Sequence, residues 1–157
     1  DVVDPNFGQL EIDILISVQE QVERNGQLLP GVIDTLEFFK SQQIPIALAS
    51  SSPRQIIQSV VNTLDIKKYF KVMCSAEFEE FGKPHPAVFL SASNYLRIAP
   101  EECLVFEDSV NGVIAAKAAK MKCIAIPAPN DFTDQRFAIA DNRFKSLCDF
   151  IALENKN

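Results

Sequence analysis

The sequence has no tryptophan, a single histidine (His85), no CxxC pair and no run of 18 or more apolar residues. One histidine, held between two prolines, argues against a histidine-built zinc site and against a Ser-His triad. Without a long apolar run or a signal peptide, the chain offers no membrane-spanning helix and is expected to be cytoplasmic. The chain has 15 Lys and Arg against 21 Asp and Glu, a net charge of −6, and no basic cluster. That balance argues against nucleic-acid and anionic-membrane partners. The four cysteines, Cys74, Cys103, Cys123 and Cys148, are read as thiols, most of them buried, of a cytosolic protein. The first residue is Asp1, so the chain is expected to be a processed, trimmed or partial form.

What is present is about one domain's worth of chain, 157 residues of which 47% are hydrophobic. Residues 8–25 place Leu10, Ile12, Ile14, Leu15, Val18 and Val22 near a helical period, and Gly26 closes that helix. A second amphipathic helix is expected over 32–42. From there strands and helices alternate: strands at 44–49, 71–75, 103–106 and 123–126, helices at 53–64, 86–97 and 110–120. The tail is read as a loop and a short helix near 145–153. Alternation of this kind predicts an α/β fold with a parallel sheet, and strands apolar on both faces predict a sheet covered on both sides. Ligands of such sheets bind beyond the carboxyl ends of the strands.

Three clusters fall at such ends. Glu107 and Asp108 close a buried strand, where carboxylates need a cation or hydrogen bonds to offset desolvation. A hard cation such as Mg²⁺ suits one or two carboxylates with phosphate oxygens and waters; the alternative is that Asp108 or Ser109 only caps the next helix. Ser50, Ser51 and Ser52 follow a strand and precede Pro53, which makes Ser52 the expected N-cap and the serine group a candidate phosphate cradle. Lys83 sits between Gly82 and Pro84, either a held point charge for a phosphate or a solvated surface lysine. His85 is expected only to shape that loop.

The order strand–Ser, loop–Lys, strand–Glu-Asp resembles motifs two to four of the haloacid dehalogenase superfamily. LLPGV (28–32), ALASSSP (47–53), GKPHP (82–86), FEDSVNGVIAAKAAKM (106–121), IPAPN (126–130) and QRFAIADNRFKSL (135–147) resemble its β-phosphoglucomutase-like branch, and within it bacterial 2-deoxyglucose-6-phosphatases, or hexitol phosphatases. The resemblance implies a Rossmann-like core over 28–157, with 1–27 as the end of a helical cap. It implies a Mg²⁺-dependent phosphatase acting on small-molecule sugar phosphates. Ser50 would bind the transferring phosphoryl group, with Ser51 and Ser52 beside it. Lys83 would hold phosphate and nucleophile, Arg54 would contact substrate phosphate, and Asp108 would ligate Mg²⁺ with Glu107 beside it. A phosphomutase of the same branch shares these residues. A non-catalytic phosphate-binding or interaction domain is a third reading, and a receiver-type signalling domain is disfavoured by the order of its lysine and acids.

The family's first motif, an Asp-x-Asp run on the first strand, supplies the nucleophile and the general acid–base group. Asp1-Val2-Val3-Asp4 has the wrong spacing, and Glu11-Ile12-Asp13 falls in a helix. The resemblance places that first strand centrally, between the strands at 44–49 and 103–106. The expectation is therefore a chain inactive by itself, with two inner strand edges unpaired.

Overall fold

The computed structural model describes residues 7–156. Asp1-Val2-Val3-Asp4, and with it the start of the expected cap segment, lies outside the described residues.

The first helix, α1 (Phe7–Asn25), ends where the Gly26 N–H returns to the Val22 carbonyl. Only Leu15, Gln19 and Val22 are half-buried, an i, i+4, i+7 seam; Leu10, Ile12, Ile14 and Val18 stay exposed although they fit the helical period. Gln55 of α3 (Arg54–Thr63) donates to Gln19 at 2.8 Å, tying α1 to α3. Helix α2 (Val32–Ser41) starts after Gly31, whose φ of 83° admits glycine cheaply. A Cβ there would also strike the backbone of Leu147 and Cys148 at the start of α6 (Leu147–Glu154).

The strands are β1 (Ile46–Ser50), β2 (Phe70–Ser75), β3 (Leu104–Glu107), β4 (Lys122–Ala125) and β5 (Asn142–Arg143), all paired in parallel. Among the described residues they form two sheets, β1–β2 and β3–β4–β5, and no ladder joins β1 to β3. The four strands expected from sequence are present within one or two residues. The fifth, β5, falls in the tail that reads as loop.

Strand alternation sorts the core. Ile46 and Leu48 face α2 and α3, packing with Leu36, Ile57, Val61 and Ile66. Ala47 and Ala49 face the other way, toward Val88, Phe89 and Ala92 of α4 (Ala87–Leu96). An extra residue in β2 keeps this parity: Ile46 pairs with Phe70 but Ala47 with Val72, and the bulged residue between, Lys71, is exposed. In the second sheet Val105 and Cys123 share a face with α5 (Val110–Ala118), whose Ala115 and Ala116 are fully buried. On the opposite face Phe106 meets Phe150 of α6 at 4.9 Å and Phe39 of α2 at 5.8 Å. This aromatic contact ties α2, which precedes the first sheet, to the second sheet.

Candidate phosphate-handling site

The site grows from the carboxyl ends of β1 and β3. Parity puts Glu107 on the α5 face of β3, so its carboxylate points into the protein. It is buried, 8% exposed. A buried carboxylate needs partners, and three are present. The Lys83 ammonium forms an ion pair with Oε1, and the Ser109 hydroxyl and N–H donate to Oε2 at 3.1 and 3.4 Å. Gly112 makes room: any Cβ at that position would fall on the Glu107 carboxylate.

Lys83 arrives from the loop between β2 and α4. The Lys83–Pro84 peptide is cis, and the His85 ring nitrogen accepts the Ala87 N–H at 3.3 Å, which closes the loop onto α4. The lysine side chain is 10% exposed and its Nζ lies 4.5 Å from the centroid of the Phe89 ring. It also donates to the Ala49 carbonyl at 3.2 Å. Lys83 therefore touches the end of β1 and the end of β3 at once. The surface-lysine alternative is not what the structure shows.

Ser50 ends β1 and its hydroxyl accepts the Ser52 N–H at 3.0 Å. Ser52 is not the N-cap of α3. Pro53 holds that position, without any side-chain cap, and the helix starts at Arg54. The first helical N–H, that of Arg54, is instead taken by the Glu77 carboxylate at 2.8 Å. Ser51 and the Arg54 side chain are exposed. At the end of β3, Ser109 caps α5 by accepting the Gly112 N–H at 3.0 Å. That leaves Asp108 free of the capping role. It is exposed, and no hydrogen bond or ion pair engages its carboxylate among the described residues.

The structure thus brings Ser50, Lys83, Glu107 and Asp108 to one end of the sheets. No group of three or more His, Cys, Asp or Glu residues with metal-binding geometry occurs among the described residues. One or two carboxylates with phosphate oxygens and waters suit Mg²⁺, but Glu107 is already engaged by Lys83 and Ser109. Asp108 is the uncommitted one. Burial, and then the nearby Glu107 charge, push the Cys123 thiol up to about 12, so this thiol is inert at neutral pH.

A family model for haloacid dehalogenase-like hydrolases matches residues 5–120. The chain belongs to this family. Hexitol phosphatase B of Escherichia coli is 40% identical over 131 residues, covering 83% of this chain and 59% of that protein. A phosphorylated carbohydrates phosphatase of Thermotoga maritima is 43% identical over 95 residues, covering 60% of this chain and 44% of that protein. The chain therefore spans about 59% of the length of the first of these relatives. CbbY from Rhodobacter sphaeroides, solved with phosphate, shares the fold, with a TM-score of 0.85 at 23% identity over 96% of this chain and 68% of that one. β-Phosphoglucomutase from Clostridium difficile matches with a TM-score of 0.75 at 26% identity, over 93% of this chain and 62% of that one. The relatives place this haloacid dehalogenase-like hydrolase in the phosphoglucomutase-like branch, beside sugar phosphatases.

Sequence reasoning missed Ser75, Glu77 and the Glu107–Gly112 fit. Ser75 and Glu77 carried no local signal, because they act on a loop 23 residues away. Gly112 did carry one: it sits five residues after the buried Glu107, in the first turn of the helix that follows the strand.

Proposed function

We propose that this hydrolase supplies the phosphate- and Mg²⁺-binding half of a sugar-phosphate phosphatase, of the kind that transfers the phosphoryl group to an aspartate and then to water. The observation that carries this reading is Lys83 held between Ala49 and Glu107, next to Ser50. A buried ammonium at the junction of two strand ends is a fixed positive charge for a phosphate. Ser50 would donate to a phosphoryl oxygen, and Arg54 would meet the phosphate from the solvent side. Asp108 would hold Mg²⁺ with Glu107 behind it, and the cation, when bound, would offset charge on the phosphoryl oxygens. Hexose and hexitol phosphates are the proposed substrates, by likeness to the relatives above.

No two aspartates in these 157 residues are spaced as Asp-x-Asp. The chain by itself is therefore inactive or nearly so, and the expected cap role of 1–27 belongs to the same proposal. Purified protein should bind phosphate with Mg²⁺, and Lys83→Ala should lose that binding. It should not turn over hexitol or hexose phosphates. Clear turnover would sink the claim that the nucleophile is absent, and failure of phosphate to bind would sink the site. The likeness to a β-phosphoglucomutase favours a second reading, a phosphomutase. A bisphosphorylated sugar intermediate, made by the 157-residue chain together with whatever supplies the aspartate, would favour it.

A further inference from the structure

Helix α3 follows the serine loop, yet nothing in its own N-terminal turn caps it. Pro53 has no hydroxyl, and Ser52 does not reach the free N–H groups. The cap comes from another element. After β2 the chain makes a short turn, Ala76–Phe78, and Glu77 in that turn accepts the Arg54 N–H at 2.8 Å.

The turn is itself fixed by Ser75. Its hydroxyl accepts the Glu77 N–H at 3.1 Å and donates to the Ser52 carbonyl at 2.7 Å. Ser75 is 5% exposed and stands opposite Ser50 in the parallel register. The Ser50 hydroxyl in turn accepts the Ser52 N–H. Three bonds therefore hold the Ser50–Arg54 loop: one internal, one from Ser75 and one from Glu77.

We infer that Glu77, set by Ser75, is a positioning residue that clamps the serine loop in its phosphate-binding conformation. This rests on the reading of Ser50 as a phosphate ligand. The clamp also changes where attraction for phosphate comes from. The N-terminus of α3 carries a partial positive charge that would draw an anion, but a carboxylate already sits on its first N–H. Phosphate is therefore held mainly by side chains, Lys83 and Ser50 with Arg54 on the solvent side, and the first backbone N–H of α3 is not open to it.

Two variants separate the bond from the charge. Glu77→Gln keeps a carbonyl oxygen for the Arg54 N–H and removes a negative charge near the phosphate. Glu77→Ala removes both. Titration of the 157-residue protein with inorganic phosphate, followed by NMR at Ser50 and Lys83, should give Glu77→Gln at least wild-type affinity. Glu77→Ala should bind about fivefold more weakly than Glu77→Gln, the scale of one lost N-cap. Equal affinity of the two variants would overturn the clamp. Hydrogen exchange of the wild-type Arg54 amide tests the bond without any variant. Protection there is expected, and exchange at the rate of a free amide would overturn the clamp as well. If wild-type protein shows no phosphate response at Ser50 or Lys83, the phosphate reading fails, while the Arg54 amide still decides whether the bond exists.

Discussion

Lys83 and Glu107, 24 residues apart in the chain, meet as an ion pair whose side chains are 10% and 7% exposed. Their burial sets the sign of what mutation should do. Removing one partner leaves the other charged and dry, which costs about 3–5 kcal/mol. Urea titration of Glu107→Ala and of Lys83→Ala should each show a loss of that order. The double variant Lys83→Met/Glu107→Leu should recover most of the stability, because apolar replacement of a buried pair is near neutral. It should not recover phosphate binding. Additive losses in the double variant would mean that the pair is not coupled.

Gly112→Ala separates helix propensity from space. An alanine in a helix interior is worth about 1 kcal/mol over glycine. At this position its methyl would fall on the Glu107 carboxylate, which must then swing away from Lys83. Overpacking of this kind costs about 1–3 kcal/mol, so the net effect should be destabilising. Placed in a Glu107→Ala background, the same substitution should become neutral or favourable. A destabilisation of equal size in both backgrounds would show that Glu107 is not the obstacle.

Asp141 gives a pH dependence. Its carboxylate accepts from the Lys117 ammonium and from the Cys123 N–H, both at 2.7 Å. These bonds, the Lys117 hydrogen bond first, hold its carboxyl below the ordinary aspartate range. A depressed carboxyl contributes stability that is fully present above its unfolded pKa and is lost as pH falls through the folded one. Unfolding midpoints measured from pH 5 downward should fall faster for wild type than for Asp141→Asn, starting at about pH 4. The side chain is 43% exposed, so salt should blunt the difference.

The cysteines should react in an order set by burial. Cys148 is exposed, Cys103 half-buried, and Cys74 and Cys123 buried. Burial also raises the Cys74 thiol, and it brings Cys123 up to about 12. A thiol reagent at neutral pH should label Cys148 first and reach Cys74 and Cys123 only on unfolding. Labelling of Cys123 in the native protein, at a rate near that of Cys148, would contradict the packing around β4.

The strands were legible in the sequence because each of the first four is a short apolar run ended by turn residues. Ser50 and the Glu107-Asp108 pair were legible because they stand where such strands stop, and Lys83 because Gly82 and Pro84 flank it in the loop after β2. β5 was not, since two polar residues, Asn142 and Arg143, show no period. Ser52 fits the local rule for an N-cap, but α3 is capped from another element, by Glu77. The exposed residues of α1 show the same limit: Leu10, Ile12, Ile14 and Val18 fit the helical period, but among the described residues only the Leu15–Gln19–Val22 seam is packed. The expectation of unpaired inner edges on β1 and β3 concerns a strand that the resemblance implies; among the described residues β1 pairs with β2 and β3 with β4.

Among the described residues no ladder joins β1 to β3, and the two sheets are linked through side chains: Lys83 at the strand ends, the Phe39–Phe106–Phe150 contact on one face, and the shared core around α4 and α5 on the other. Side-chain contacts part at lower free energy than the core of a continuous ladder, so each sheet can open as its own cooperative unit. Ser50 and Asp108 then belong to different units. A ligand touching both would be spending part of its affinity to weld the two units into one, and would register as a rise in the melting temperature of the whole chain.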